Sequence, residues 1–274
     1  MTSDSGRLAI IGGGKIGEAL LSGLLRKSAG PDDIMMVEHY PDRIRYLHER
    51  YGIRVVDVAE AARSCTTLLI AVKPQDIDSL LHQLADLVTA EHLVVSVAAG
   101  ITTARIERGL PAGPAVVRCM PNTPALVDEA MTAISAGSRA TQAHLQRADE
   151  LLSAVGRVVR VPESQLDAVT ALSGSGPAYF FFLVEAMIDA GILLGLPRAL
   201  AAELIVQTLV GSAVMLRDSG EHPVQLREAV TSPAGTTISA IRELENHGVR
   251  AAFLAAIEAA RNRSAELGRA ADAE

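Results

Sequence analysis

Lysine is scarce in this chain: Lys15, Lys27 and Lys73 are the whole complement among 25 lysine and arginine residues. None lies beyond position 73, so a mechanism that needs a lysine in the C-terminal half is excluded. Cysteine is as sparse. Cys65 and Cys119 stand far apart with no CxxC or histidine spacing around them, so neither a disulfide nor a metal site is expected, only two reduced structural residues. Long apolar runs are missing too, since no stretch reaches the roughly 18 uncharged apolar residues that cross a bilayer. The most apolar run, Tyr179 to Leu196, carries Glu185 and Asp189 and reads as a buried helix, with no membrane as partner. The opening residues, Met1 to Arg7, are polar and short, and the apolar segment behind them runs straight into glycines, unlike a secretory leader. A cytoplasmic location is expected. Nor is there a basic patch: the net charge of -7 and pI near 5.5 exclude a general polyanion binder, leaving no place for nucleic acid as a partner. No internal repeat or low-complexity segment is found.

What is present is ample apolar material, 49% of 274 residues, in a chain long for one domain and comfortable for two. From Arg7 to about Val161, apolar strand-like runs alternate with amphipathic stretches. The strands are expected at 8–11, 34–37, 67–72, 93–97, 115–118, 132–135 and 157–161, which reads as βαβ units around a largely parallel sheet. After Pro162 only helical periodicity remains, broken at 174–177, 195–197, 219–223, 232–235 and 248. The expectation is an α/β Rossmann-like doubly wound domain over 1–162 and an all-helical domain over 163–274. Helices such as 196–216 and 249–266 are apolar around much of their circumference. About 110 residues cannot bury that surface alone, so a homodimer formed through the C-terminal helices is predicted.

The first chemical signal is Gly12-Gly13-Gly14-Lys15-Ile16-Gly17, a GxGxxG placed directly after the first strand and leading into a helix. Gly12 permits the tight turn, Gly14 lets backbone approach a pyrophosphate, and Gly17 allows close helix–strand contact. The helix N-terminus then favours the anion. Glu38 follows the second strand, about where a dinucleotide fold places an acid for the adenosine ribose hydroxyls. A carboxylate there repels a 2'-phosphate and favours NADH, whereas Arg43 and Arg45 nearby could favour NADPH, and Glu38 could also be an ordinary solvated acid. Ala71, Val72, Lys73 and Pro74 are read as closing the third strand, Lys73 being otherwise a snorkelling surface residue. Ser96 to Gly100 after the fourth strand and Met120 to Pro124 after the fifth would border the same crevice as walls for a nicotinamide. The candidate cofactor set is therefore Ile11 with the loop 12–17, Glu38, Ala71 to Pro74, Ala98, Ala99, Gly100 and Asn122.

Together these segments resemble the pyrroline-5-carboxylate reductases: GxGxxGEAL at 12–20, AVKP at 71–74, VAAGI at 97–101 and RCMPNTP at 118–124. The C-terminal half adds DAVTALSGSGPAY at 167–179 and VTSPAGTT at 230–237, far more specific than a glycine loop. The matches run from residue 8 to about 267. The resemblance implies NADH or NADPH as cofactor, a small imino acid as substrate, hydride transfer to the C=N carbon of 1-pyrroline-5-carboxylate giving L-proline, and a dimer that a further ring of dimers would extend. It also implies that Glu163 lies near substrate and that the hydroxyl of Thr237 approaches the ring nitrogen. Two departures stand out. Ala234 occupies a position where the family usually has glycine, and Glu38-His39-Tyr40 replaces the small hydroxyl residues of NADPH-favouring members.

The residues fit that chemistry. A protonated cyclic imine is already electrophilic, so its reduction needs a placed hydride donor and a carboxylate site more than a strong acid. After Pro162 there is no lysine, and His222 and His247 stand apart from the motifs. The segment 232–237 reads as a turn into a helix whose free N–H groups at Thr236 and Thr237, with the Ser232 hydroxyl, suit a carboxylate. Ordinary helix capping would have the same local sequence. Ser173 to Pro177 is expected to end one helix and start the next, its glycines allowing close packing. Two rivals remain: a β-hydroxyacid-type dehydrogenase, which would want a lysine beyond Lys73, and a non-catalytic dinucleotide sensor, which would bind cofactor but reduce no imine.

Overall fold

The structure is a computed structural model that describes residues 7–27 and 29–273; residues 1–6 of the polar opening segment, read above as no leader, lie outside them. Eight strands form one sheet: β1 Leu8–Ile11, β2 Ile34–Val37, β3 Arg54–Val56, β4 Thr67–Ile70, β5 Leu93–Ser96, β6 Ala115–Met120, β7 Ala130–Ala136 and β8 Gly156–Arg160. The order is β3-β2-β1-β4-β5-β6-β7-β8, parallel throughout except where β7 runs against β6. Helices α1 Lys15–Lys27, α2 Pro41–Tyr51, α3 Val58–Ser64, α4 Ile77–Leu84, α5 Thr103–Gly109 and α6 Gln142–Leu152 connect them. Each central strand is buried on both faces because its side chains alternate between two cores. Leu8 and Ile10 of β1 join one core with Leu20 and Leu24 of α1, while Ala9 and Ile11 join the other with Ile77 and Leu81 of α4.

One strand differs from the sequence reading. β3 is three residues long at the sheet edge, and its exposed Arg54 leaves too little apolar alternation to register as a strand. Gly52, left-handed at φ +66°, ends α2 and turns the chain into it. Residues 71–74 therefore follow the fourth strand, and the next two crevice segments follow the fifth and sixth.

Beyond β8 the chain is helical. Contacts divide it into one compact unit of residues up to Ser175 together with the stretch from Ala260 onward, and a second from Gly176 to Ala259. In the first unit α7 Leu166–Val169 runs into a π-helical turn, Thr170–Gly174. The expected break at 173–177 is thus a widened turn. Ser175 donates its N–H to the Thr170 carbonyl at 2.8 Å, five residues back, and Pro177 follows in the first turn of the helix that begins at Gly176, where its missing N–H costs no helical bond.

The second unit holds α8 Gly176–Leu193, α9 Arg198–Ser219, α10 Pro223–Ala229, α11 Thr236–Asn246 and the start of α12 Val249–Ala273. α8 and α9 approach closely where a Cβ on Gly191 would lie 2.8 Å from that of Ala201. Elsewhere both helices expose apolar side chains, Phe181 at 69% and Leu204 at 52% among them. The run from Tyr179 is thus not buried within one chain. By length and composition, the helical stretches 163–193 and 198–219 are apolar enough to cross a membrane, Glu185 and Asp189 in the first notwithstanding.

Candidate active site

The turn after β1 is built around its glycines. Gly12 sits at φ +109°, donates its N–H to the Val37 carbonyl at 2.9 Å, and would bring a Cβ within 2.6 Å of the Ala71 carbonyl oxygen. At Gly17 a Cβ would fall 1.9 Å from the Gly12 oxygen, so α1 can start this close to the strand only with glycine there. Gly14 is different: nothing lies within 4 Å of its would-be Cβ. Protein packing does not demand a glycine at that position, whereas close approach by a ligand does.

Glu38 is turned into this loop rather than out to solvent, its side chain only 7% exposed. Its carboxylate accepts N–H bonds from Gly13 at 3.1 Å, His39 at 2.8 Å and Tyr40 at 3.2 Å. The solvated-acid alternative is therefore not what the fold adopts. Arg43 is also committed, donating from Nε to the Gly13 carbonyl at 2.6 Å and pairing with Glu18. Glu18 accepts the Tyr46 and Tyr51 hydroxyls at 2.9 and 2.8 Å as well. Burial alone would raise the Glu18 pKa, but the bonds from Arg43, Tyr51 and Tyr46 outweigh it and hold the carboxyl below its ordinary value. Arg45 instead pairs with Asp42 on the exposed face of α2.

Because β1 lies between β2 and β4, the strand order reverses at its carboxyl end, where ligands of doubly wound sheets bind. A cavity of about 840 Å³ opens there. Ile11 to Gly14, Glu38 and Ala71 to Lys73 line it together, as the sequence reading grouped them. Val58 and the α4 side chains Ser79, Leu80 and Gln83 also line it and were missed; the one available signal was that α4 begins directly behind the AVKP segment. Lys15 is exposed at the first residue of α1, Ile16 packs on the core behind the loop, and Pro74 opens a short 3-10 turn. At the β5 end Ala98 is buried and Ala99 exposed, while Gly100, at φ +76°, faces the backbone of Gly268 in α12. Ser264 of the same helix donates to Asp167 at 2.7 Å.

Two candidates are already occupied by protein partners. Glu163 accepts the Thr103 N–H at 2.8 Å, the Thr103 hydroxyl at 2.6 Å and the Arg118 guanidinium at 3.0 Å. Burial would raise its pKa, yet the two Thr103 bonds and Arg118 hold it below the ordinary carboxylate value. Asn122 gives its amide to Ser173 and accepts the Met131 N–H.

In the second unit, Gly235 is the N-cap of α11, and no side chain caps that helix start. The turn before it is closed by the Gly235 N–H bonding the Ser232 carbonyl at 3.1 Å, with Ala234 left-handed at φ +55°. A Cβ on Gly235 would collide with the Ser232 hydroxyl at 2.3 Å. Ser232 and Thr237 are therefore beside the helix start without capping it.

The parts present fit a dinucleotide: an open glycine at a helix N-terminus, an acid at the end of β2 and a cavity at the switch point. Followed along the chain by an apolar helical unit, they define an NAD(P)-dependent oxidoreductase. The family model described as pyrroline-5-carboxylate reductase dimerisation matches residues 163–267, and that described as NADP oxidoreductase, coenzyme F420-dependent, matches 7–100. The pyrroline-5-carboxylate reductase of Mycobacterium tuberculosis is 48% identical over 284 residues, spanning 95% of this chain and 96% of that protein. Among solved structures, a pyrroline-5-carboxylate reductase from Coxiella burnetii superposes with a TM-score of 0.92 at 36% identity, covering 96% of this chain and 99% of that one. A Plasmodium falciparum pyrroline carboxylate reductase with NADP bound gives 0.86 at 26% identity, covering 97% and 99%. The chain belongs to the pyrroline-5-carboxylate reductase family, and its residues 163–267 match that family's dimerisation domain.

Proposed function

We propose that this chain catalyses the last step of proline biosynthesis, reducing 1-pyrroline-5-carboxylate to L-proline. Bound NADH or NADPH supplies the hydride that the C=N carbon accepts. Around it the chain's own groups bind and orient: the loop 12–17 and the α1 N-terminus hold the pyrophosphate, and Glu38 holds the ribose. Residues 71–74, 98–100 and 122 border the nicotinamide side. The observation that carries the substrate reading is the uncapped start of α11. Its first N–H groups, at Thr236 and Thr237, with the Ser232 hydroxyl, receive the substrate carboxylate, and the Thr237 hydroxyl meets the ring nitrogen. Glu163 acts one step back, keeping the entry into the helical domain tied to Thr103 and Arg118.

We place the functional domain boundary at 162/163, where the dimerisation match begins. The exposed apolar faces of α8 and α9 are best explained by a second copy, extended to a ring of dimers, rather than by lipid, and the enzyme works in the cytoplasm without nucleic acid. Bound as it is by three N–H groups, Glu38 favours NADH over NADPH.

The test is a pair of variants assayed with pyrroline-5-carboxylate. Thr237→Val should lower kcat with cofactor affinity unchanged, and Ser232→Ala should raise KM more than it lowers kcat, each by about ten-fold or more for a lost bond to a charged group. A lowered Tm with unaltered kinetics would remove both residues from the site.

A further inference from the structure

The 120–124 loop after β6 and the 173–177 segment are joined to each other by side-chain contacts. The end of the Met120 side chain packs against Gly174, its methyl carbon 2.6 Å from where a Cβ would stand, so the loop lies directly on the π-helical turn. Asn122 makes the polar half of the lock. Its Oδ1 accepts the Met131 N–H at 3.0 Å, which fixes the amide orientation and aims Nδ2 at the Ser173 carbonyl, 3.2 Å away, with the Ser173 hydroxyl at 3.4 Å. That carbonyl can take an outside donor because the residue four positions on is Pro177, which has no N–H.

We propose that Asn122 is a positioning residue, not a cofactor ligand: through Ser173 and Met131 it fixes the 120–124 loop, the nicotinamide-side wall, to the π-helical turn that precedes α8. The inference rests on the imine-reductase reading for what that wall does. A planar amide, one donor face and one acceptor face, is what a carbonyl on one side and an N–H on the other require. The π-helical turn is the element it reads, and such turns recur at functional sites. The wall then shares its placement with the start of the substrate-binding helices, so loosening the lock should disturb hydride alignment before it disturbs binding.

The experiment uses the full-length enzyme with Asn122→Asp, which keeps an acceptor for Met131 but sets a carboxylate oxygen against the Ser173 carbonyl. Pro177→Ala is the second variant, because it supplies an N–H that competes for that carbonyl without touching Asn122. Four quantities are measured: NADH Kd by calorimetry, steady-state kinetics, the isotope effect with 4-deuterated NADH, and Tm. Asn122→Asp should lose about ten-fold or more in kcat with Kd unchanged and the isotope effect raised, and Pro177→Ala should shift the same way by less. If NADH Kd weakens in step with kcat/KM, Asn122 is a ligand and the proposal falls. It falls equally if kcat and the isotope effect stay at wild type, whatever Tm does. Should Asn122→Asp not fold, Pro177→Ala decides by the same criteria. A wild-type enzyme inactive on the imine would instead sink the functional reading, while an active wild type with unaffected variants sinks only this one.

Discussion

Glu38→Ser is the perturbation with the clearest expected direction, because the carboxylate fills a small ring of donors. The Gly13, His39 and Tyr40 N–H groups all converge on it within 3.2 Å. Serine is too short to replace it, so three N–H groups would turn toward the cavity with no anion of the protein's own. A 2'-phosphate is the natural replacement, whereas the ribose hydroxyls of NADH lose a charged acceptor. A hydrogen bond to a charged group is worth about 1.5 to 3 kcal/mol, so the NADPH to NADH preference should move by about ten- to hundred-fold from that loss alone. Relief of charge repulsion adds to it and should shrink as salt is raised. The loop will also loosen, weakening both cofactors, so the diagnostic quantity is the ratio of kcat/KM for NADPH and NADH, checked by the two Kd values. Nucleotide fluorescence gives those directly, since the chain has no tryptophan. Arg43 should not drive the switch, being held by Gly13 and Glu18. Equal weakening of both cofactors would refute the argument and leave Glu38 as a brace for the loop.

The glycine loop was legible in the sequence because each glycine answers a separate geometric demand, two of which the backbone makes plain at Gly12 and Gly17. Strand periodicity was legible wherever both faces are buried and failed at Arg54 to Val56, where an edge strand buries one side chain. The helical half was legible as helices, yet the run from Tyr179, read as buried, is exposed within one chain, since what covers an apolar face is a property of the assembly. Site residues divide the same way. Glu38, Lys73 and the AVKP segment follow strand ends, a position the pattern marks. The engagement of Glu163 by Arg118, 45 positions away, and of Asn122 by Ser173, 51 away, has no local signal; only the three-dimensional fold brings those polar groups together.

Gly14→Asp should abolish NADH binding by calorimetry while Tm stays near wild type, because open space surrounds the would-be Cβ and the new carboxylate would occupy the pyrophosphate path. Retained NADH affinity would take the phosphate loop away from residues 12–17. For Glu163, whose folded pKa lies below the ordinary 4.5, the stability it contributes is present above the unfolded pKa and is lost as pH falls through the folded one. Glu163→Gln should therefore lower Tm near neutral pH and flatten its decline below about pH 4.5; an unchanged slope would mean the Thr103 and Arg118 bonds carry no net stability. Ala234→Gly addresses the turn before α11. A left-handed alanine is strained by roughly 1 kcal/mol or more, and glycine removes that strain while adding some freedom to the unfolded chain. The first effect should win, raising Tm by about 2–4 °C per kcal/mol gained for a protein of this size. If the strained turn also holds Ser232 in place for the substrate carboxylate, the same glycine should raise KM for the imino acid, because a freer turn must be ordered at each binding event. A higher Tm with a higher KM marks the strain as functional, a higher Tm alone marks it as incidental, and a lower Tm refutes the strain argument itself.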